Sequence, residues 1–348
     1  MATTSGIISS YQEVGIKEDI SEIITNISPT KTPFQTMIGS WPVWNTFYQW
    51  QEDQLLSPAS NAQVEGASAI TATSQPTVMR FNNTQILEKV AQTADTLDAL
   101  KFYGRDRELA YQLAMRSAEL KRDLEFAYVG SGAVGNASSS GAGGGSTPGS
   151  SGNSGTARVT NGYQQMIALA NSGSYTAPVV LNNVGSTAAL LAGVFSSGTT
   201  AASLTPLTEG MILQVSQTLF QNGVDPEVLM VKPGDSLKIS AFASGSAAGP
   251  GTIPAYPRTR MTEGEKTLVN VVNVYVSPFG DLKQVINRFQ RSADAFVFTP
   301  DMWKKAVLRN WTRVNLAKTG DFTQTMIVGE FGLQHRNFFS SGLITGLS

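Results

Sequence analysis

The chain has 348 residues and a formal net charge of −1, and only 15% of its residues are charged. A charged fraction this far below the usual value of about 25% leaves a mostly uncharged polar surface. Such a surface has little positive charge for binding phosphates, which excludes a protein whose main function is to bind nucleic acid. The chain has no cysteine, which excludes disulfides, thiol nucleophiles and thiolate-bound metals. Its single histidine, His335, excludes sites built from several imidazoles. We therefore expect neither a cofactor nor a metal.

The first 45 residues predict an arm that cannot be stable alone. Isoleucines recur at helical spacing over residues 16–27, including Ile20 and Ile24, and charged residues lie between them. Ser28-Pro29 ends this helix, because proline disfavours helical geometry in the residue before it. So short a helix cannot bury its isoleucines against itself, and residues 1–45 therefore need the rest of the protein or a neighbouring chain.

Residues 46–93 predict two long antiparallel strands joined by a wide loop. Trp41–Trp50 is rich in aromatic residues, and Thr77–Thr93 is a second strand-prone run. The stretch between them is rich in Ser, Ala, Gln and Asn, which is typical of a loop. A two-stranded hairpin is only marginally stable in water, so we expect this one to lie on another surface.

The clearest helix in the sequence is predicted over residues 105–129. Its leucines form one stripe, and its charged residues, among them Arg105, Arg122 and Glu125, form the polar side. At 1.5 Å per residue such a helix is about 37 Å long. The Gly/Ser-rich residues 130–156 follow and predict a flexible loop without the spacing of a phosphate-binding loop.

The remainder of the chain predicts a mixture of helices and strands. In order, these are helices over Tyr163–Ala170 and Pro206–Asn222 (with Thr205 as N-cap), a strand over Pro226–Val231, a hairpin of Thr267–Ser277 and Asp281–Phe289, strands over Ala295–Thr299 and Trp311–Lys318, and a last strand ending at Arg336. His335 shares one face of that last strand with apolar residues. This position is typical of a core histidine rather than a catalytic base.

Nothing in the sequence indicates a membrane or a secretory route. The longest apolar runs fall far short of the ~18 residues that a membrane span needs. The Ser/Thr-rich start lacks the basic and apolar regions of a secretory signal. We therefore expect synthesis in the cytoplasm and no membrane contact.

One pattern is shared with penicillin-recognising serine hydrolases. Ser28-Pro-Thr-Lys31 matches S-x-x-K and Lys318-Thr-Gly320 matches K-T-G, in the order that those enzymes use. Their chemistry requires a helical turn between Ser28 and Lys31, which Pro33 disfavours. The middle S-x-N element occurs only within the Gly/Ser-rich segment, where a rigid site cannot form. This enzyme remains an alternative of a different functional class.

The order of elements and several short blocks resemble the major capsid proteins of tailed bacteriophages, which have the Hong Kong 97-type fold. The blocks that carry the resemblance are Thr32–Gly39, Trp50–Asp53, Asn82–Ile86, Gly104-Arg105, Glu119–Glu125 and Leu316–Asp321, with Glu330 and Leu333 continuing the last one. The resemblance implies an α+β capsid fold. It assigns residues 1–45 to an N-terminal arm, 46–93 to an extended loop, 94–157 and 292–348 to a peripheral domain, and 158–291 to an axial domain.

The resemblance also implies a structural, non-enzymatic function. Subunits of this fold form hexamers and pentamers of an icosahedral shell around double-stranded DNA, and their arms and extended loops reach onto neighbouring subunits. A separate scaffolding protein, a portal and a cement protein are the expected partners. An encapsulin-type nanocompartment, which encloses protein cargo, is the alternative within the fold. A monomeric adhesin or decoration domain is a third alternative, but it leaves the long helix unexplained.

The resemblance implies a set of inter-subunit contacts, namely Ile20, Ile24, Phe34, Phe47, Trp50, Glu52, Arg80, Arg105, Arg122 and Glu125. Some members of the fold lock the shell by an isopeptide bond from a lysine in the extended loop. No lysine occurs between Lys31 and Lys89, so we expect non-covalent locking or a cement protein here. The matching blocks begin at Thr32, which favours a separate scaffolding protein or an earlier cleavage.

Overall fold

The computed structural model describes residues 26–53, 55, 60–66, 77–130, 152, 157–169, 180–182, 205–242, 274–291 and 293–347. In chain order its elements are α1 (Pro33–Met37), β1 (Gly39–Pro42), β2 (Phe47–Glu52), β3 (Val78–Asn83), β4 (Gln85–Ala94), α2 (Asp95–Ala99), α3 (Glu108–Glu125), α4 (Tyr163–Leu169), β5 (Val180–Asn182), α5 (Glu209–Gln221), β6 (Val228–Val231), α6 (Pro233–Phe242), β7 (Val274–Ser277), β8 (Gly280–Ile286), β9 (Ala295–Phe298), β10 (Trp303–Asn315), β11 (Phe322–His335) and β12 (Ser341–Thr345). The strands form three sheets, of four, six and two strands.

The four-stranded sheet has the order β1-β10-β11-β4. Its strands β10, β11 and β4 are antiparallel neighbours, and β1 pairs in parallel with Lys304–Val307 of β10. The long helix α3 packs on one face of this sheet, mainly on β4. Lys89 of β4 joins the two elements through ion pairs with Glu119 at 3.0 Å and Asp123 at 2.9 Å.

The six-stranded sheet has the order β5-β12-β9-β6-β8-β7. Its central strands β6 and β9 are buried along their whole length, which explains why their sequences are unbroken apolar runs. One face packs against α5 and α6 through Ile212, Leu219 and Ile239. The opposite face contributes Met230 and Phe298 to a second cluster, which is shared with the four-stranded sheet.

Aromatic side chains form the junction between the two large sheets. Phe34 of α1 lies at its centre, with edge-on contacts at centroid distances of 5.5 to 6.1 Å to four rings, those of Tyr128, Tyr163, Phe298 and Trp303. The ring of Tyr163 also stacks on that of Trp303 at 4.7 Å. Burying a side chain of this size typically stabilises a fold by about 1.5–3 kcal/mol. The short helix α1 is therefore part of the core.

His335 is a core residue, as its place in the last strand predicts. Its side chain is 2% exposed, and its ring stacks on that of Trp303 with centroids 4.0 Å apart. Its Nε2 lies 3.1 Å from the hydroxyl of Ser340 and 3.0 Å from that of Ser341, both of which are fully buried. Burial, with a smaller effect of the Arg80 charge, lowers the pKa of His335 from 6.5 to about 3. The ring is therefore neutral at physiological pH.

The long helix starts later than the predicted 105–129, and its last turn is π-helical. It begins at Glu108, because Gly104 has a left-handed φ of +74° and Arg107 is extended. After Glu125 it gives way to a π-helical turn, Phe126–Gly130. Gly130 allows this close packing, since a Cβ atom there would lie 2.4 Å from the carbonyl oxygen of Phe289.

The second strand-prone run does not form a single long strand. It divides at Thr84 into β3, which pairs with β2, and β4, which belongs to the four-stranded sheet. The backbone N–H of Thr84 donates to the carbonyl of Thr46 at 2.9 Å, and its hydroxyl donates to Glu330 at 2.7 Å. The hairpin expected over residues 46–93 therefore ends at Asn83, where the chain changes sheets.

The last part of the chain also differs from its prediction. Residues 292–348, expected to close one domain, supply β10 and β11 to the four-stranded sheet but β9 and β12 to the six-stranded sheet. Strand β10 begins at Trp303 rather than Trp311, because Trp303 is anchored in the aromatic junction. Helix α5 begins at Glu209, with Thr208 rather than Thr205 at the N-cap position.

Residues 16–25 of the predicted arm helix and most of the Gly/Ser-rich segment lie outside the described residues. The last two residues of that predicted helix, Asn26 and Ile27, are described and are not helical. Residues 267–273 of the predicted hairpin are likewise outside, whereas β7 and β8 pair as predicted from Val274 onward.

We expect Gly332→Ala to destabilise the subunit. A Cβ atom on Gly332 would lie 2.3 Å from the hydroxyl oxygen of Tyr48, which donates to the carbonyl of Leu333 at 2.7 Å. Overpacking of this kind lowers the free energy of unfolding by about 1–3 kcal/mol. Chemical denaturation of unassembled subunits measures the effect. The control is Gly210→Ala, because a Cβ there meets nothing closer than 4.0 Å and alanine favours a helix. Equal stability of the two variants would contradict this packing.

Candidate inter-subunit interface

Helix α1, which we call the arm root, is bound to the rest of the subunit by the carboxylate of Glu125, in the last turn of α3. The backbone N–H groups of Phe34 and Gln35 donate to its Oε1 and Oε2 atoms at 2.8 and 2.9 Å. The side-chain amide of Asn287, just after β8, donates to Oε1 at 2.7 Å. The first N–H groups of a helix have no partner within it, and Thr32 makes no side-chain cap. Glu125 therefore caps α1 from another element.

The protonation of Glu125 depends on two opposing effects. Its side chain is wholly buried, and burial raises the pKa of the carboxyl above its ordinary value of 4.5. The N–H groups of Gln35 and Phe34 and the amide of Asn287 favour the ionised form, but they offset the effect of burial only in part. One titratable group thus joins the arm root, the long helix and the six-stranded sheet.

The root of the β2–β3 hairpin is fixed by buried polar contacts. The hydroxyl of Tyr48 and the side-chain amide of Asn82 both donate to the carbonyl of Leu333, at 2.7 and 2.6 Å. The carboxylate of Glu330 accepts from Thr84 at 2.7 Å and from Arg309 at 3.0 Å, and it forms an ion pair with Arg158. The direction in which the hairpin leaves the body is therefore set by β11.

The hairpin itself presents apolar side chains that the described residues leave exposed. Phe47 of β2 and Phe81 of β3 lie on one face, with ring centroids 5.4 Å apart, and Met79 continues that face toward the loop. All three side chains are exposed. The most exposed aromatic residue of the described chain is Trp44, at 93%, in the turn that leads into β2. Exposed apolar surface of this kind is typical of an interface.

The four-stranded sheet has a second uncovered apolar surface, which we call the open face. Ile86 and Val90 of β4 lie beside β11, and Val90 and Val314 flank its Met326. Ile86, Val90 and Val314 are all exposed, whereas α3 covers the opposite face of the sheet. A sheet is usually packed on the face that carries its apolar residues. The open face therefore fits a contact with another molecule.

The structure places two of the ten expected contact residues in the interior. Phe34 and Glu125 are fully buried, so neither forms the surface of a subunit, and the prediction that they contact neighbours is corrected. The reason is that the arm root folds into the core of its own chain. Ile20 and Ile24 lie outside the described residues. Of the ten, Phe47 is exposed on the hairpin face.

The remaining expected residues are partly buried and make contacts within the chain. Glu52 and Arg80 form an ion pair at 3.1 Å across the hairpin, where burial, against the effect of Arg80, raises the pKa of the Glu52 carboxyl. Trp50 packs beside Tyr48 with ring centroids 6.0 Å apart.

Arg105 and Arg122 also interact within the chain. Arg105 pairs with Glu108 at 2.7 Å and lies over the ring of Phe102 at 4.8 Å. Arg122 lies over the ring of Phe289 at 5.9 Å.

Sequence reasoning missed Trp44 and the open face. Trp41 and Val43 alternate toward the cluster around Tyr48, and this alternation leaves Trp44 on the unpacked side. The same period of two, applied to Ile86 and Val90, separates them from the residues that face α3. Nothing in the sequence alone says which of the two faces receives the helix.

The serine-enzyme alternative is not supported by local geometry. Residues 28–31 are not helical, so the turn that would bring Lys31 to the Ser28 hydroxyl is missing. The Ser28 hydroxyl instead donates to Asn26 at 2.7 Å. Lys318, of the K-T-G match, forms an ion pair with Asp95, the first residue of α2.

Within the described residues, no three His, Cys, Asp or Glu side chains cluster as metal ligands would. The described helices include none that is long and apolar enough to cross a membrane.

We expect Glu125→Gln to change how stability depends on pH. Because the folded state raises the pKa of this carboxyl, it binds more protons than the unfolded chain at pH values just above 4.5. The contribution of Glu125 is therefore complete below pH 4.5 and is lost as the pH rises through the raised value. Glutamine does not titrate, so the difference in free energy of unfolding between the parent and Glu125→Gln should shift over that interval.

The measurement is denaturation of unassembled subunits at a series of pH values. Subtracting the two profiles removes the effects of Glu52 and Asp294, whose pKa values burial also raises. Glutamine keeps one oxygen acceptor, but its NH₂ group would face one of the N–H donors that the second carboxylate oxygen accepts from. The substitution should therefore also lower the free energy of unfolding by about 1–3 kcal/mol near neutral pH. Parallel profiles for the two proteins would contradict this account of Glu125.

Comparison with known proteins agrees with this architecture. A family model described as SU10 major capsid protein matches residues 3–348. The major capsid protein of Escherichia phage Phieco32 is 31% identical over 343 residues, which cover 96% of this chain and 95% of that protein.

Solved structures show the same fold at low sequence identity. A chain from Mycobacterium phage Bobi is 12% identical, with a TM-score of 0.55 and 95% of each chain covered. The capsid of the native GTA particle gives 11% identity and a TM-score of 0.56, covering 97% of this chain and 98% of that one. The capsid of cyanophage P-SCSP1u gives 11% identity and a TM-score of 0.55, covering 97% of this chain and 96% of that one. The α+β, Hong Kong 97-type fold expected from the sequence is confirmed. The chain belongs to the SU10 major capsid protein family and is a phage major capsid protein, a constituent of the virion capsid.

Proposed function

We propose that this capsid subunit forms hexamers and pentamers of an icosahedral shell that encloses double-stranded DNA, held together without covalent crosslinks. The observation that carries the proposal is the pair of uncovered apolar surfaces, the hairpin face of Phe47, Met79 and Phe81 and the open face of the four-stranded sheet. Both belong to strands, and the apolar side chains that form them are exposed in the single chain. Copies that cover each other's surfaces would bury both.

Many weak contacts suffice for such a shell. Each subunit of a closed shell touches several neighbours, so modest affinities multiply. The net charge of −1 favours this arrangement, because a large like charge repeated over many copies would oppose closure. We further propose a separate scaffolding protein, a portal and a cement protein as partners, and a purely structural role without catalysis. The burial of His335, the one histidine, supports the last point.

The first test is sedimentation of the expressed protein followed by negative-stain electron microscopy. Closed shells, or free hexamers and pentamers, are the expected result. A chain that stays monomeric when its scaffolding protein is supplied would contradict the proposal. Nucleic acid inside purified particles, rather than protein cargo, distinguishes a phage head from an encapsulin-type compartment.

We expect Trp44→Ser to impair assembly without harming the fold. Trp44 is 93% exposed in the single chain, so its removal leaves no cavity and should not change the melting temperature of the subunit. If Trp44 anchors a contact between copies, the yield of sedimenting shells should fall at least severalfold, because exposed tryptophans are enriched among the residues that dominate interfaces. Trp44→Phe, which keeps an aromatic ring, should restore most of that yield. Unchanged shells in Trp44→Ser would exclude Trp44 from the interface.

We also expect purified particles to give a single band at the subunit mass on a denaturing gel. An isopeptide lock from the extended loop needs a lysine, and none lies between Lys31 and Lys89. A ladder of covalent multimers would refute non-covalent locking. Intact-mass spectrometry of the same band reports any cleavage of the N-terminal arm.

A further inference from the structure

Asparagine is followed directly by glycine at two points of the chain, Asn161-Gly162 and Asn222-Gly223. In such a pair the backbone nitrogen of the glycine can approach the side-chain carbonyl carbon of the asparagine, because glycine has no side chain to obstruct it. A bond between these two atoms closes a succinimide ring, which is the first step of spontaneous deamidation. The two pairs are equivalent in sequence, but their surroundings in the fold differ.

The pair Asn222-Gly223 lies at the surface, where helix α5 ends. Both residues are exposed, and Gly223 has a left-handed φ of +85°. A Cβ atom on Gly223 would meet no heavy atom of the described residues within 4 Å, its chain neighbours aside, so there is room for a ring and for water. The N–H of Gly223 donates to the carbonyl of Phe220 at 2.9 Å. Because helix ends fray, local opening is enough to free this nitrogen.

The pair Asn161-Gly162 is enclosed. Both residues are buried, and Asn161 is 0% exposed. The N–H of Asn161 donates to Oδ1 of Asn82 at 3.0 Å, and the N–H of Gly162 donates to Oε1 of Gln165 at 3.1 Å. Asn82 also donates to the carbonyl of Leu333, which ties this segment to the root of the hairpin. Freeing the nitrogen of Gly162 and admitting water therefore requires much wider unfolding.

We propose that Asn222 deamidates spontaneously in the folded subunit and acts as a slow chemical clock on helix α5, whereas the fold protects Asn161. The nitrogen of Gly223 bonds to Cγ of Asn222, and the bond from Cγ to the side-chain nitrogen breaks. The proton of Gly223 passes through solvent to that nitrogen, which leaves as ammonia. Water then opens the succinimide at either carbonyl and yields aspartate or isoaspartate. Water is the only co-reactant, and no atom is oxidised or reduced.

Both products change the end of α5. Each places a negative charge at the C-terminal end of the helix, where the helix dipole opposes it. Asp225 and Glu227, which are exposed shortly after the helix, carry the same charge. Isoaspartate also routes the main chain through a side-chain carbon and so displaces Val224, whose N–H donates to the carbonyl of Leu219 at 3.1 Å. Because Leu219 belongs to the core between α5 and the six-stranded sheet, isoaspartate should loosen the end of the helix.

The test follows unassembled subunits at mildly alkaline pH, where a backbone nitrogen loses its proton more readily. Isoelectric focusing should show a more acidic form that increases with time. Mass spectrometry of peptides, prepared at acidic pH to stop the reaction, should show that NH₂ is replaced by OH roughly tenfold faster, or more, at Asn222 than at Asn161. A methyltransferase specific for isoaspartate should label the peptide that contains residue 222. Equal conversion of Asn222 and Asn161 in folded subunits would overturn the proposal.

Two controls separate the effect of exposure from that of the following glycine. Asn310 is exposed but is followed by Trp311, whose side chain hinders ring closure, so it should convert much more slowly than Asn222. Asn222→Gln keeps the side-chain amide and suits the helical backbone at this position, but its longer side chain closes a ring far more slowly. Conversion of Asn310 at the rate of Asn222 would contradict the proposal, as would an acidic form that accumulates in Asn222→Gln at the parent rate.

The same incubation in denaturant tests whether the fold protects Asn161. Unfolding removes the surroundings of both pairs, so Asn161 should then convert about as fast as Asn222. If Asn161 remained unconverted in denaturant, its protection would not come from the fold, which would contradict the proposal.

The consequence for α5 is measured by denaturation of aged subunits. Parent subunits enriched in isoaspartate should unfold at a lower denaturant concentration than Asn222→Gln subunits aged alongside them. Asn222→Asp, which adds the charge but leaves the main chain unaltered, should lie between the two. Equal stability of the aged parent and aged Asn222→Gln would overturn the effect on α5. The inference goes beyond the proposed shell, and every measurement uses unassembled subunits, so a failure to form particles would bear only on the proposed function.

Discussion

The carboxylate of Glu125 holds together the parts of this subunit on which the remaining structure depends. It caps α1, which has no cap of its own, and it accepts from Asn287 at the end of β8. These hydrogen bonds place Phe34 at the centre of the aromatic junction, where its ring contacts residues of both large sheets. A short helix of five residues is not stable by itself, so tertiary contacts must supply what local propensity cannot. The arm root is therefore a structural element of the body.

The rigidity of that junction explains how the hairpin can be directed outward. Leu333 and Glu330 on β11 bind the hairpin root, and β11 is flanked by β10 and β4 along most of its length. Among the strands that the structure describes, those of the hairpin pair only with each other. A two-stranded ribbon with an exposed aromatic face is an unfavourable surface for a single soluble chain, but it suits a subunit that meets another copy.

The same division between a paired interior and an unpaired surface is visible in the charges. Glu330 and Lys89 sit within multiple ion pairs that join separate elements. Lys121 and Lys305 lack such partners within the described residues, although the chain as a whole is almost neutral. Unpaired charges and exposed apolar residues of this kind are typical of an interface.

The amino-acid sequence by itself determined the fold class, the long amphipathic helix, the buried strand Val228–Val231, the core position of His335 and the family. These features rest on local periodicity or on short blocks, which a single chain displays directly. Only the tertiary structure decided that the run from Thr77 to Thr93 divides between two sheets, since that division depends on the hydrogen bonds that Thr84 donates to Thr46 and Glu330. It likewise decided that Phe34 and Glu125 are interior. A capping carboxylate and the helix that it caps lie 91 residues apart in the chain, and no local pattern can reveal such a partnership.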